Sequence, residues 1–127
     1  MSDRIEVVTT SWYDAEFETL ALEGRARIEN RLFTLCRKGW MDAMADRTVA
    51  ALRDGIYELR VLGRGSAFRV LFFVVPGRSP RLVVLTSAVA KSTMKKRTRS
   101  DAELERAKRR RALWFEQMKL RTHDERR

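Results

Sequence analysis

Arg69 is the one charged side chain in the run Ala67–Val75 (AFRVLFFVV), and its setting makes its chemistry conspicuous. A guanidinium offers a planar fork of donors that grips a carboxylate or phosphate with two parallel bonds, and desolvating it is costly without such a partner. Two readings follow: a clamp on a phosphate or on a developing phosphorane, or an ion pair with a carboxylate such as Glu58. Arg60, in Ile56–Leu62 (IYELRVL), carries the same two readings, with Glu58 or Asp54 as local partners. Glu58 alternates with Tyr57 and Leu59, so it shares a strand face with Arg60, as counter-ion or general base. Tyr57 can stack on a nucleobase or fill a core.

A second group of cations follows these strands. Lys91, Lys95, Lys96, Arg97 and Arg99 stand in the polar segment KSTMKKRTR, and Lys108, Arg109, Arg110 and Arg111 form a run further on. Clustered cations disfavour one another's charged form, so a lysine among them can bind phosphate or be activated for proton transfer. Each is also an ordinary solvated side chain if nothing binds it. The single histidine, His123, falls near the C-terminus, and the single cysteine, Cys36, falls on the apolar face of a helical pattern, where a buried inert thiol is expected. Neither has companions for a metal site, so no metal or cofactor is expected.

The charge distribution points the same way. Net charge is +10, and residues 91–127 hold 14 Lys or Arg against 6 Asp or Glu, whereas residues 1–90 hold 13 against 11. Such a concentration is the footprint of a polyanion binder, because each phosphate contact releases counterions. An acidic protein or an anionic membrane surface satisfies the same footprint. No segment approaches the roughly 20 apolar residues of a membrane span, and residues 1–8 include Asp3 and Glu6 and lack the apolar run of a signal peptide. A cytoplasmic protein without membrane contact is expected, and its lone cysteine suits a reducing compartment.

These residues need elements to position them. The length of 127 residues suits one domain, read as residues 1–121 with a basic, disordered tail over 122–127. Ile5–Val8 is a β-branched first strand, with Thr9, Thr10 and Ser11 as helix-start candidates and Ser11 with Asp14 resembling a capping box. Tyr13, Phe17 and Leu20, then Ile28, Leu32, Leu35 and Cys36, mark two amphipathic helices. Residues 39–54 show no clean period. Strands are predicted over Ile56–Leu62, Ala67–Val75 and from Leu82, separated by Gly63–Ser66 and Pro76–Pro80. Such short connections force antiparallel neighbours, and the third strand, apolar on both faces, belongs at the centre of the sheet. Ser100 with Glu103 resembles a second capping box, opening a long helix whose stripe is Leu104, Ala107, Arg111, Trp114, Phe115 and Met118. The fold predicted is α+β: a small antiparallel sheet of about four strands, two N-terminal helices and one long C-terminal helix.

The segments LRDGIYELR (Leu52–Arg60), FRVLFF (Phe68–Phe73) and VVLTSAVAKSTMKK (Val83–Lys96) resemble the phage-derived HigB-like toxins of the RelE/ParE superfamily. The likeness extends over the whole chain in element order and, in residue detail, over Leu52–Ala107. Ser92 stands where that pattern has a second lysine, Val89 where it has an aromatic, and no proline precedes the last helix.

The resemblance implies the toxin of a type II toxin–antitoxin system. Such a toxin is a ribosome-dependent mRNA endoribonuclease that inhibits translation, partnered by a cognate helix-turn-helix antitoxin in a hetero-oligomeric complex. Cleavage by the RNA's own 2′-hydroxyl needs a base, a stabiliser of the phosphorane and an acid for the leaving oxygen. His123, in the tail, is a poor candidate. The expected catalytic set is Arg69, Arg60 and Lys91; the expected RNA and ribosome contacts are Lys95, Lys96, Arg97, Arg99, Lys108, Arg109, Arg110 and Tyr57. The alternative is a non-catalytic relative that inhibits DNA gyrase or binds nucleic acid or antitoxin in a regulatory role, including a toxin that has lost its activity.

Overall fold

The computed structural model describes residues 3–63, 66–91 and 100–125. Strand β1 (Ile5–Thr9) leads into helices α1 (Ser11–Glu18), α2 (Leu22–Lys38) and α3 (Trp40–Ala45). Strands β2 (Val49–Ala51), β3 (Ile56–Gly63), β4 (Ser66–Val75) and β5 (Arg81–Lys91) follow, and helix α4 (Ser100–Glu125) completes the described chain. The sheet order is β1-β5-β4-β3-β2, with β4 at its centre as its doubly apolar sequence requires.

The α+β class stands, with two corrections. The sheet has five strands and is mixed: β2 to β5 form an antiparallel meander, but β1 runs parallel to β5, Ile5 opposite Arg81 and Thr9 opposite Leu85. The chain passes through three helices and three strands between β1 and β5, which frees that pair from the antiparallel constraint of a short turn. The helices before the meander number three rather than two, because residues 39–54 contain α3 and β2. A six-residue helix and a three-residue strand are too short to display a period, and local backbone features define them instead. Gly39 ends α2 at φ +92, a region that glycine enters without a steric penalty. Asp54 and Gly55 both take positive φ, 56 and 78, Ile56 N donates to Arg53 O at 3.1 Å and Leu52 N to Ile56 O at 2.8 Å, so Arg53, Asp54 and Gly55 make a tight three-residue connection between β2 and β3.

Alternation along the strands divides the core into two layers. Leu59 and Val61 of β3, Val70 and Phe72 of β4 and Val83 and Leu85 of β5 pack with Tyr13, Ile28, Leu35 and Trp40 beneath α1 to α3. On the other face Ile56, Leu71, Phe73, Leu82 and Val84 receive Leu104, Ala107, Trp114 and Phe115, so most of the stripe predicted for the last helix is its docking face. Fully burying a side chain such as Phe72 or Phe73 contributes about 1.5–3 kcal/mol each. At Gly24 the backbone of α2 comes so close to β4 that an added Cβ would lie 2.7 Å from the Phe68 ring.

Beyond Leu85, helix α1 takes over from β1 as the neighbour of β5. Thr10, the N-cap residue, accepts from Tyr13 N at 3.2 Å and donates to Leu85 O at 2.9 Å, and Glu16 Oε1 accepts from Ala88 N at 3.0 Å. There the β4–β5 register slips at Leu71/Phe72, and Thr86 Oγ1 donates to Leu71 O at 3.1 Å.

Candidate functional site

Arg60 and Arg69 are register partners across β3 and β4, and Glu58 shares their face, two residues before Arg60. Glu58 Oε1 accepts from Arg60 Nε at 2.7 Å, and its Oε2 lies 2.6 Å from Arg69 Nη2. Glu103, in the first turn of α4, accepts from Arg69 Nη1 at 3.0 Å. The result is a row of four charges, Arg60–Glu58–Arg69–Glu103, joining two strands to the C-terminal helix. Glu103 therefore puts its carboxylate on the sheet, the role that the capping-box pattern with Ser100 did not disclose.

Burial separates the two arginines. The side chains of Glu58 and Arg69 are 1% and 9% exposed, whereas that of Arg60 is 56% exposed. Both arms of the Arg69 fork meet carboxylates, and little of its side chain reaches solution. Arg60 keeps its Nε on Glu58 and presents its outer nitrogens, without a partner among the described residues, to water. Glu58 is held between two guanidinium groups, the charge-pairing alternative rather than the free general base.

The other expected site residues are distributed as follows. Lys91 closes β5, its backbone opposite Ala67, two positions along from the Arg69–Val89 pair. Lys95, Lys96, Arg97 and Arg99 lie outside the described residues. Lys108 donates to Asp54 at 3.0 Å and Glu105 at 3.4 Å. Arg110 makes a two-armed pair with Glu16, 3.1 Å on each arm, and donates to Thr86 O at 2.8 Å. Arg111 donates to Asp54 O at 2.6 Å. Lys108, Arg110 and Arg111 thus fasten α4 to the β2–β3 turn, to α1 and to the irregularity in β5, and Arg109 is the member of the run left exposed. The bond from Lys108 holds the Asp54 carboxyl below the usual carboxylate range, and Asp54 and Glu105 together raise the Lys108 ammonium.

Tyr57 is on the opposite face from Arg60. Its ring stacks on Phe72 at 5.6 Å and meets Trp40 edge-on at 5.0 Å, so its contacts are those of a core aromatic. Cys36 is exposed, against the expectation of a buried thiol: Leu35 points into the core, and the next residue on a helix turns about 100° away from it. Desolvation still pushes the thiol up, which keeps it protonated at neutral pH. The segment 122–127 begins inside α4, which runs to Glu125 and carries His123 in its backbone.

The residues that sequence reasoning missed are Arg27, Arg31 and Arg47. Together with Arg60 they line a groove between α2 and the edge of β3. The signal available was the i, i+4 spacing of Arg27 and Arg31 on one helix face. Among the described residues no group of His, Cys, Asp and Glu side chains is placed to hold a metal ion, and no helix is long and apolar enough to cross a membrane.

Residues 15–112, from α1 into α4 and including the entire four-charge row, match the family described as phage-derived protein Gp49-like (DUF891). The chain belongs to that family. The Gp49-like proteins are a RelE/ParE-like toxin family, associated with the toxins of toxin–antitoxin pairs, and membership points to an antitoxin as partner. No curated protein and no solved structure matches this Gp49-like chain significantly. Its meander holds Glu58, Arg60 and Arg69 at defined register, with α4 packed across the same face.

Proposed function

We propose that this Gp49-like chain is a HigB-like toxin that cuts mRNA on the ribosome in the cytoplasm and is neutralised by a cognate helix-turn-helix antitoxin. The observation that carries the reading is Arg60: a half-exposed guanidinium oriented by a buried carboxylate, on a strand pair inside the matched region. Positioning a group before substrate arrives lowers the cost of ordering it in the transition state.

In the reaction proposed, the 2′-hydroxyl of one nucleotide attacks its 3′ phosphorus, the bond to the 5′ oxygen of the next nucleotide breaks, and a 2′,3′-cyclic phosphate and a 5′-hydroxyl result. Arg60 neutralises the charge that builds on the phosphorane oxygens. Lys91, which closes β5, and the cations Lys95, Lys96, Arg97 and Arg99 act on the substrate, a lysine among them moving the proton between the attacking and leaving oxygens. Arg69 is a positioning residue: it fixes Glu58, which fixes Arg60. Exposed Arg109 contributes long-range attraction to RNA.

Primer extension on mRNA from a translating extract tests the proposal. New cuts are expected with the intact chain and ribosomes, and none with a folded Arg60→Ala variant. Growth arrest without cuts at any dose would defeat it.

The second reading, a non-catalytic relative that inhibits DNA gyrase, rests on one specific observation. Arg69 is paired with two carboxylates and Glu58 is buried, so neither hands an acid or base to solution. Loss of gyrase supercoiling without RNA cleavage would establish it instead.

A further inference from the structure

The groove beside β3 combines several features that a solvated helix face does not need. Strand β2 pairs with β3 only as far as Leu59, so the carbonyls of Arg60 and Leu62 lie on an edge without a strand. Two arginines of α2 serve that edge: Arg31 Nε donates to Arg60 O at 3.1 Å and Arg27 Nη1 to Leu62 O at 3.4 Å. Blocking the edge against another strand would by itself explain one nitrogen of each. It does not explain the remaining nitrogens, nor Arg47, which joins them from the α3–β2 connection at φ +64.

The groove has a volume of about 500 Å³ and is lined by Arg27, Arg31 and Arg47, by Asn30 and Thr34, and by the β3 edge at Arg60, whose carbonyl accepts from Arg31. Among the described residues no carboxylate lines it. Arg27 is paired outside with Glu23 at 3.0 Å, and Arg60 with Glu58 at 2.7 Å. Arg31 and Arg47 have no carboxylate partner among the described residues. Nearby Asp46 does not compensate them, because its oxygens are taken by Lys38, Thr48 N and Thr48 Oγ1. The guanidinium groups of Arg27, Arg31 and Arg47 gathered along one hollow repel each other unless an anion occupies it, and forked donors match the oxygens of a phosphate.

We propose that this groove is a phosphodiester-binding site that takes the backbone of single-stranded RNA next to the nucleotide held at Arg60. RNA is favoured over a free phosphate because the donors are spread along the strand edge, Arg31 at Arg60 O and Arg27 at Leu62 O, and because the β3 edge at Arg60 borders the groove with its backbone while its side chain joins the four-charge row. This inference rests on Arg60 handling phosphate, but not on cleavage.

The test is the salt dependence of binding of the full chain to a short single-stranded RNA whose 2′-hydroxyls are all methylated, which the proposed reaction cannot cut, so that binding is read apart from cleavage. Each phosphate contact contributes about 0.7 to the slope of log K against log salt for single strands. The double variant Arg31→Gln/Arg47→Gln is expected to lower that slope by about 1.4 and to weaken all sequences alike. An unchanged slope in a variant that melts like the parent overturns the groove, whatever the cleavage result. A lowered slope with no cuts by the intact chain in the translating extract supports the groove and removes the nuclease reading alone. If the double variant does not fold, the single change Arg47→Glu, at an exposed position, must lower the slope by about 0.7 or more, and failure to do so overturns the proposal. Weakened binding to an acidic antitoxin peptide with unchanged RNA binding likewise overturns it.

Discussion

Arg69 lies 2.6 Å from Glu58 with both side chains shut off from water, and Glu103 closes the other arm of its guanidinium at 3.0 Å. Placing charges in such a position is costly, and their attraction repays the cost only when every group is partnered. Removing Arg69 leaves Glu58 buried beside a single, mostly solvated cation. Arg69→Ala is therefore expected to lower the unfolding free energy by about 3–5 kcal/mol, measured by urea denaturation, while the double change Glu58→Leu/Arg69→Met costs less than Arg69→Ala alone. A loss under about 1 kcal/mol would show that water reaches the pair.

Arg60 should behave in the opposite way. Its side chain is half exposed, so Arg60→Ala is expected to shift stability by only about 0–1 kcal/mol. The same change should abolish growth arrest when the chain is expressed without antitoxin. Arg60→Lys, which keeps the charge but loses the fork, should fall between the two. Full toxicity of the alanine variant would remove Arg60 from the mechanism.

The contact between α4 and the β2–β3 turn has a pH window. Asp54 is lowered by Lys108, so what the contact adds to stability is present above the ordinary carboxylate value of about 3.9 and is lost as pH falls through the lower folded value. Lys108 is raised, so its share is present below about 10.4 and is lost as pH rises through the higher folded value. An NMR titration of the Asp54 carboxyl carbon should give a midpoint under 3.9 that returns toward about 3.9 in Lys108→Met. A normal midpoint in the parent would mean that the turn is not fastened by this bond.

Cys36 is accessible but protonated. Its reaction with a disulfide reagent at pH 7 should be slower than that of a free thiol, and the rate should rise with pH to a midpoint above about 8.5. Fast modification at neutral pH would contradict the desolvation of its sulfur.

Much of this architecture is written in local patterns. The doubly apolar run around Arg69 requires a central strand, the turns at 63–66 and 76–80 require an antiparallel meander, and Leu104, Ala107, Trp114 and Phe115 require a helix packed along one face. Alternation also places Glu58, Arg60 and Arg69 together, since two strands joined by a short turn bring fixed residues face to face. The Asp54-Gly55 pair was a readable hairpin signal for β2, whose three residues carried no period of their own.

Tertiary structure decided how the charge is used. Nothing local tells that Glu103 travels to Arg69, that Arg110 meets Glu16 across the sheet, or that Lys108 and Arg111 hold the β2–β3 turn, because each contact joins residues at least 34 positions apart. The same is true of the groove, which exists only where β2 stops short and α2 crosses the exposed edge. A charged residue's role depends on which opposite charge the fold brings within reach and how much water it leaves there. That is why sequence located the cations of this protein, and only packing separated those that hold it together from those it leaves exposed to water.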